Sequence, residues 1–148
     1  MKRILSLLLV TGCAALLAGC ASGPKYSQYK ASIPPLAQDK GRIYFYRNSA
    51  LGAAVQPAVR LNDQEVGTAV PGGFFYVDRT PGDYKVVTTT EVERTLSLDL
   101  ATNQTRYVRL DVSMGFFVGH IYPVLVESTV GEDQIVDCHY TGPIASKQ

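Results

Sequence analysis

The sequence predicts an all-β protein: one small antiparallel β-sandwich behind an export leader. Three observations predict it. From Gly41 onward, short runs of alternating apolar and polar residues recur about every ten positions, separated by Gly, Pro, Asn and Asp. Nine Tyr and five Phe, with many Val and Thr, favour strand over helix. Beyond the leader, no window of helical length carries a convincing apolar stripe.

The leader comes first. Lys2 and Arg3 precede an apolar stretch from Ile4 to Ala18, the pattern of an export signal. The stretch falls short of the roughly 20 residues a membrane-spanning helix needs, and polar residues follow at once. Leu17-Ala18-Gly19-Cys20 resembles the lipobox of bacterial lipoproteins. That resemblance implies cleavage before Cys20, acylation of its thiol and then of the new amine. Val10-Thr11-Gly12-Cys13 matches the pattern loosely, but it leaves only Ile4 to Val10 as a clean apolar run, at the short edge of the usual range. Ala21 stands where an Asp would resemble the inner-membrane retention signal of enteric lipoproteins. The expected location is therefore the periplasmic face of the outer membrane, with acyl chains on Cys20 as the membrane contact.

Residues 1–19 are thus read as leader, 20–39 as a lipidated tether, 40–140 as the sandwich and 141–148 as a C-terminal tail. The tether reading rests on Gly23-Pro24 and Ile33-Pro34-Pro35, which break regular structure and stiffen the chain locally.

Within the sandwich, "RIYFYR" (Arg42 to Arg47) puts Ile43 and Phe45 on one face and Tyr44 and Tyr46 on the other. Val59 and Leu61 alternate with Arg60, and Asn62-Asp63 makes a hairpin turn before the run Glu65 to Val70. Phe74 to Asp78 follows Pro71-Gly72-Gly73, and Thr80-Pro81-Gly82-Asp83 turns the chain into Tyr84 to Thr90. "TLSLDL" (Thr95 to Leu100) and "RYVRLDV" (Arg106 to Val112) read as an opposed pair joined by residues 101–104. Ser97, Asp99, Arg109 and Asp111 would face water. Ile121 to Glu127 and Gln134 to Cys138 complete the strands.

"GRIYFYRN" followed by "AVRLNDQEVGTAVPGGFFYVDRTPGDYKV" resembles a bacterial lipoprotein family whose domain has no known function, and the broader group of PEGA-type surface β-domains. The resemblance implies a small Ig-like or PEGA-like sandwich held outside the cytoplasm, with no catalytic residue to carry over. It also implies an inward aromatic or histidine on the strand after Pro81-Gly82, here Tyr84.

The chain carries 14 basic and 13 acidic residues, and loss of Lys2 and Arg3 leaves one acid in excess. That balance offers no electrostatic footprint for nucleic acid. Chemistry is thinly marked. Asp137-Cys138-His139, with His120 elsewhere, suggests a thiol enzyme, but neighbours in a strand face apart and Cys138 reads as a buried strand end. Two His and one Cys fall short of a zinc signature, and Glu132-Asp133 lacks a calcium loop's ladder of oxygens. The expectation is no cofactor, no metal and no enzyme. The protein is read as an accessory or interaction module that meets an envelope protein. The alternative is a small-molecule or glycan binder using the aromatic loop of Phe116 and Phe117, with Tyr122.

Overall fold

The computed structural model describes residues 20–115 and 119–142. Within them the chain is an all-β sandwich of two sheets. The strands are β1 (Gly41–Tyr46), β2 (Ala58–Leu61), β3 (Gln64–Thr68), β4 (Gly73–Arg79), β5 (Gly82–Thr89), β6 (Glu93–Leu100), β7 (Thr105–Met114), β8 (Gly119–Val126) and β9 (His139–Tyr140). One short helix, α1 (Tyr26–Tyr29), precedes β1, and another, α2 (Ser128–Gln134), lies between β8 and β9.

The five-stranded sheet has the order β8-β7-β1-β4-β9, and the four-stranded sheet β3-β2-β5-β6. β1 lies at the centre of the larger sheet, antiparallel to β4 and parallel to β7. A central strand is covered on both faces, and all six β1 residues are buried. Its alternation therefore divides two apolar layers. Ile43 and Phe45 enter the core between the sheets with Val59, Leu61, Val86, Leu98, Leu100, Val108, Leu110 and Ile121. Phe45 stacks on Phe75 at 5.0 Å between ring centroids. Tyr44 and Tyr46 enter a second cluster on the outer face, with Tyr26, Phe74, Tyr107, Ile135, Cys138 and Tyr140.

The second cluster overturns the tether reading of residues 20–39. The backbone N–H of Tyr26 donates to the carbonyl of Cys138 at 2.8 Å, and Lys25 bridges His139 as an antiparallel partner. Arg42 then grips Asp78 through two charge-assisted bonds, 2.7 and 2.8 Å, while its Nη2 also donates to the Pro34 carbonyl. A polar, proline-broken segment is thus folded onto the sandwich, because two tyrosines and the exposed edge of β9 give it something to bind.

Three further expectations change. "TLSLDL" and "RYVRLDV" are not hydrogen-bonded neighbours: β6 pairs with β5, and β7 with β1 and β8. Their apolar rows meet across the sandwich instead. Ser97 and Asp99 are exposed, but Arg109 and Asp111 are half-buried on the outer face. There Arg109 holds Asp111 at 2.6 Å and also donates to Gln134. Finally, the run Gln134 to Cys138 is the end of α2 and a turn, leaving only His139–Tyr140 as strand.

The Asn62-Asp63 hairpin turn is as expected, with φ of 47° and 65° matching the two left-handed positions of a type I′ turn. Thr80-Pro81 carries the chain from one sheet to the other rather than back along the same one. The Tyr84 hydroxyl pins this corner by donating to the Thr80 carbonyl at 2.7 Å. Its ring packs half-buried against the core between the sheets, as the inward aromatic should.

Candidate functional site

The sandwich has two unlike ends. Register places the C-terminal end of β1 beside the start of β4 and the middle of β7, with Tyr46 opposite Phe74 and Arg109. Cys20 lies at this end and is exposed. One residue later the chain is already bound, because the Ala21 N–H donates to the Pro71 carbonyl at 3.2 Å. Tyr140 donates from its backbone to the Pro24 carbonyl at 2.9 Å. Gly23 is required here: a Cβ would sit 2.0 Å from the Tyr140 carbonyl oxygen. Cys20 borders a hollow of about 280 Å³ that also touches Asn48, Ala50, Pro71 and His139.

The neighbouring loop, residues 48–57, is held from below by Arg47, which has no solvent exposure. Its Nη1 donates to the carbonyls of Val55 and Ala69, and its Nη2 to those of Leu51 and Gly52. Its Nε has no acceptor among the described residues, and burial lowers its pKa below the ordinary arginine value. Arg47 escaped the sequence reading because an arginine at a strand end reads as a solvated group.

The second place of interest is the side where β6 approaches β8. An open cleft of about 370 Å³ there is bordered by Arg94, Thr95, Ser113, Tyr122 and Pro123. Tyr122 is half-buried, opposite Asp111 on β7. Phe116 and Phe117 lie outside the described residues. Near the same hairpin, Thr90 Oγ1 and His120 Nδ1 are 3.0 Å apart.

The candidate thiol chemistry is not assembled. Cys138 is 2% exposed, with its Sγ 4.0 Å from the Gln134 carbonyl. Burial, with the Asp137 charge adding to it, pushes the thiol pKa up to about 11, the wrong direction for a nucleophile. His139 Nδ1 lies 2.6 Å from the Gly23 carbonyl, so that nitrogen carries the proton and donates. His120 is on β8, at the opposite edge of the sheet from β9. Four strand spacings, about 19 Å, separate those edges. Asp137 pairs with Lys25 at 2.9 Å. Among the described residues, no three His, Cys, Asp or Glu side chains cluster as metal ligands would, and no helix is long and apolar enough to cross a membrane.

The family described as "Protein of unknown function (DUF2846)" matches residues 37–121, and the chain belongs to it. The matched stretch covers β1 to β7 and enters β8, while α1, α2 and β9 fall outside it. The chain is also similar to an uncharacterized protein of Haemophilus influenzae, 27% identical over 123 residues, covering 80% of this chain and 73% of the relative.

Proposed function

We propose that the protein is an envelope lipoprotein. The leader is cut before Cys20, the cysteine is acylated, and a PEGA-like sandwich is held at the periplasmic face of the outer membrane. One observation carries this reading: the small-residue motif Leu17-Ala18-Gly19-Cys20 ends on an exposed cysteine, and the folded body starts at the next residue. Three acyl chains at that point make attachment essentially permanent, since each buried methylene contributes about 0.8 kcal/mol.

The role proposed is that of a non-catalytic module that binds an envelope protein. The buried thiol and the separately engaged imidazoles support the non-catalytic part. For the binding part, β3 is the outermost strand of its sheet, and its Gln64 and Glu65 are exposed. An edge strand offers unpaired backbone groups to an incoming strand.

Intact mass of the protein extracted from native membranes tests the attachment. The expected product begins at Cys20 and carries acyl mass that Cys20→Ser abolishes; an unmodified thiol overturns the reading. A photocrosslinker at Glu65 tests the partner. Recurrent capture of one envelope protein is expected, and labelling no different from that of an exposed position away from β3 overturns it.

The cleft beside Tyr122 favours a second reading, a small-molecule or glycan binder. Titrating cell-wall glycan fragments into the body should then shift the amide resonances of Arg94 and Tyr122, and an unchanged spectrum rejects it.

A further inference from the structure

The apolar residues left on the surface are unevenly distributed. Five large apolar residues are exposed among the described ones: Val130 and Val136, in α2 and just after it, are 41% and 39% exposed, and the three most exposed, Leu51, Val92 and Met114, are 54%, 48% and 72%. All three belong to the end that holds Cys20. Leu51 lies in the loop clamped by Arg47, and a Cβ on its neighbour Gly52 would reach Val112 near the end of β7. Met114 is the last residue of β7. Val92 occupies the turn between β5 and β6, whose Thr90 reaches His120 opposite Ser113.

Charge follows the opposite pattern. Residues 48–57 ("NSALGAAVQP") and 69–73 ("AVPGG") contain no ionisable side chain. The acids near this end are Glu91, Glu93 (3.5 Å from Lys85) and Asp137 (2.9 Å from Lys25). The far end gathers Asp39, Lys40, Asp63, Arg79, Asp83, Arg106 and Glu127 around the turns at residues 62–63, 80–81 and 101–104.

We infer that the Cys20 end is a bilayer-docking face, with Leu51 and Met114 at the boundary of headgroups and acyl chains and the turns at residues 62–63, 80–81 and 101–104, with the charges around them, pointing away. The inference rests on acylation of Cys20 as proposed above. Given that anchor, the spacing leaves little choice. Ala21 is hydrogen-bonded to the body, so one residue, about 3.5 Å of chain, separates lipid from fold. A body on so short a lead must rest on the leaflet, and the two loops it turns down, residues 48–57 and 69–73, carry no ionisable side chain, the first presenting the exposed Leu51. Because the acyl chains already hold the protein, Leu51 and Met114 add orientation rather than affinity.

The chain contains no Trp, so single tryptophans report depth without background. The membrane-extracted protein carrying Leu51→Trp, Met114→Trp or, at the far end, Thr102→Trp is placed in phosphatidylethanolamine–phosphatidylglycerol vesicles with brominated acyl chains. The docking face requires about twofold quenching at residues 51 and 114, whose reporters would lie within roughly 5–10 Å of the acyl boundary, and none at 102. Equal weak quenching at all three positions, with acyl mass present on Cys20, overturns the docking face and leaves the acylation reading intact. An unmodified Cys20 in the same sample overturns both. Far-UV circular dichroism checks each variant's fold, and the independent reporters at 51 and 114 keep the test decisive if one of them misfolds.

Discussion

Arg47 donates from Nη1 to the carbonyl oxygen of Ala69 at 2.8 Å, joining the end of β1 to the loop that precedes β4 from a fully buried position. Among the described residues no carboxylate is bonded to it; four backbone carbonyls share the guanidinium. Burying a cation costs several kcal/mol, and hydrogen bonds involving a charged group return about 1.5–3 kcal/mol each. Four bonds are needed to offset the burial, so the loop geometry depends on the fork. Arg47→Lys keeps the charge but has three donors on a point-like head. It is expected to lose about 2–4 kcal/mol in urea unfolding and to speed amide exchange in residues 48–57. A midpoint within experimental scatter of wild type would show that the loop is held by other means.

Gly131 of α2 lies flat against Tyr107. A Cβ there would stand 2.3 Å from the ring's Cγ. Alanine favours a helix over glycine by about 1 kcal/mol, whereas overpacking against a buried ring costs about 1–3 kcal/mol. Tyr107 is 3% exposed and stacked on Tyr44 at 5.2 Å, so it has no room to yield. The clash wins. Gly131→Ala should therefore destabilise, and thermal unfolding that rises instead would mean that α2 moves freely off the sheet.

These two sites also mark where sequence reasoning stopped. The alternation of "RIYFYR" assigned both faces of β1, because period-two patterning is a property of the strand itself. Alternation cannot name a partner. The leucines of β6 point inward whether it pairs with β7 or crosses from it to the other sheet, and the structure takes the second course. The helix over Ser128–Gln134 was invisible because its one buried residue is Gly131, and a helix seated on a glycine shows no apolar stripe. At the candidate site, Cys20 stood out from its local residue types, and the structure adds that it is exposed. The Arg47 clamp and the cleft at Arg94 and Tyr122 depend on contacts between distant segments, which no local pattern encodes.

Alkaline stability should depend on Cys138. Its folded pKa, about 11, lies above the reference value of 9.0, so the unfolded chain loses that proton first. Stability present below pH 9 is therefore lost as pH rises from about 9 to 11, by about 2–3 kcal/mol at 1.36 kcal/mol per unit. Burial also raises Tyr44 and Tyr46 from 10.0 to about 12, so their contribution drains away in the next window, from pH 10 to 12. Cys138→Ala should flatten the urea midpoint between pH 9 and 10 and leave the later tyrosine fall unchanged. Parallel curves for the two proteins would mean that the thiol is already solvated in the fold.

The segment before β1 offers the sharpest division between a tether and a structural element. Tyr26 is 4% exposed and meets Tyr44 and Phe74 edge-on, at 5.7 and 5.3 Å between centroids. Removing a buried aromatic side chain costs about 3–5 kcal/mol, whereas changing a residue in a solvated linker costs less than about half a kcal/mol. Tyr26→Ala should thus lower the unfolding free energy by several kcal/mol within a single transition, since the second cluster shares β1 with the first. Wild-type stability would return the segment to the status of a linker, and it would remove the short lead on which docking at the Cys20 end depends. An intermediate loss with a second, earlier transition would mean that α1, α2 and β9 form a lid that opens while the sandwich stays folded. The loss expected here is single and cooperative, because Tyr44 of the central strand touches both Tyr26 and Tyr107.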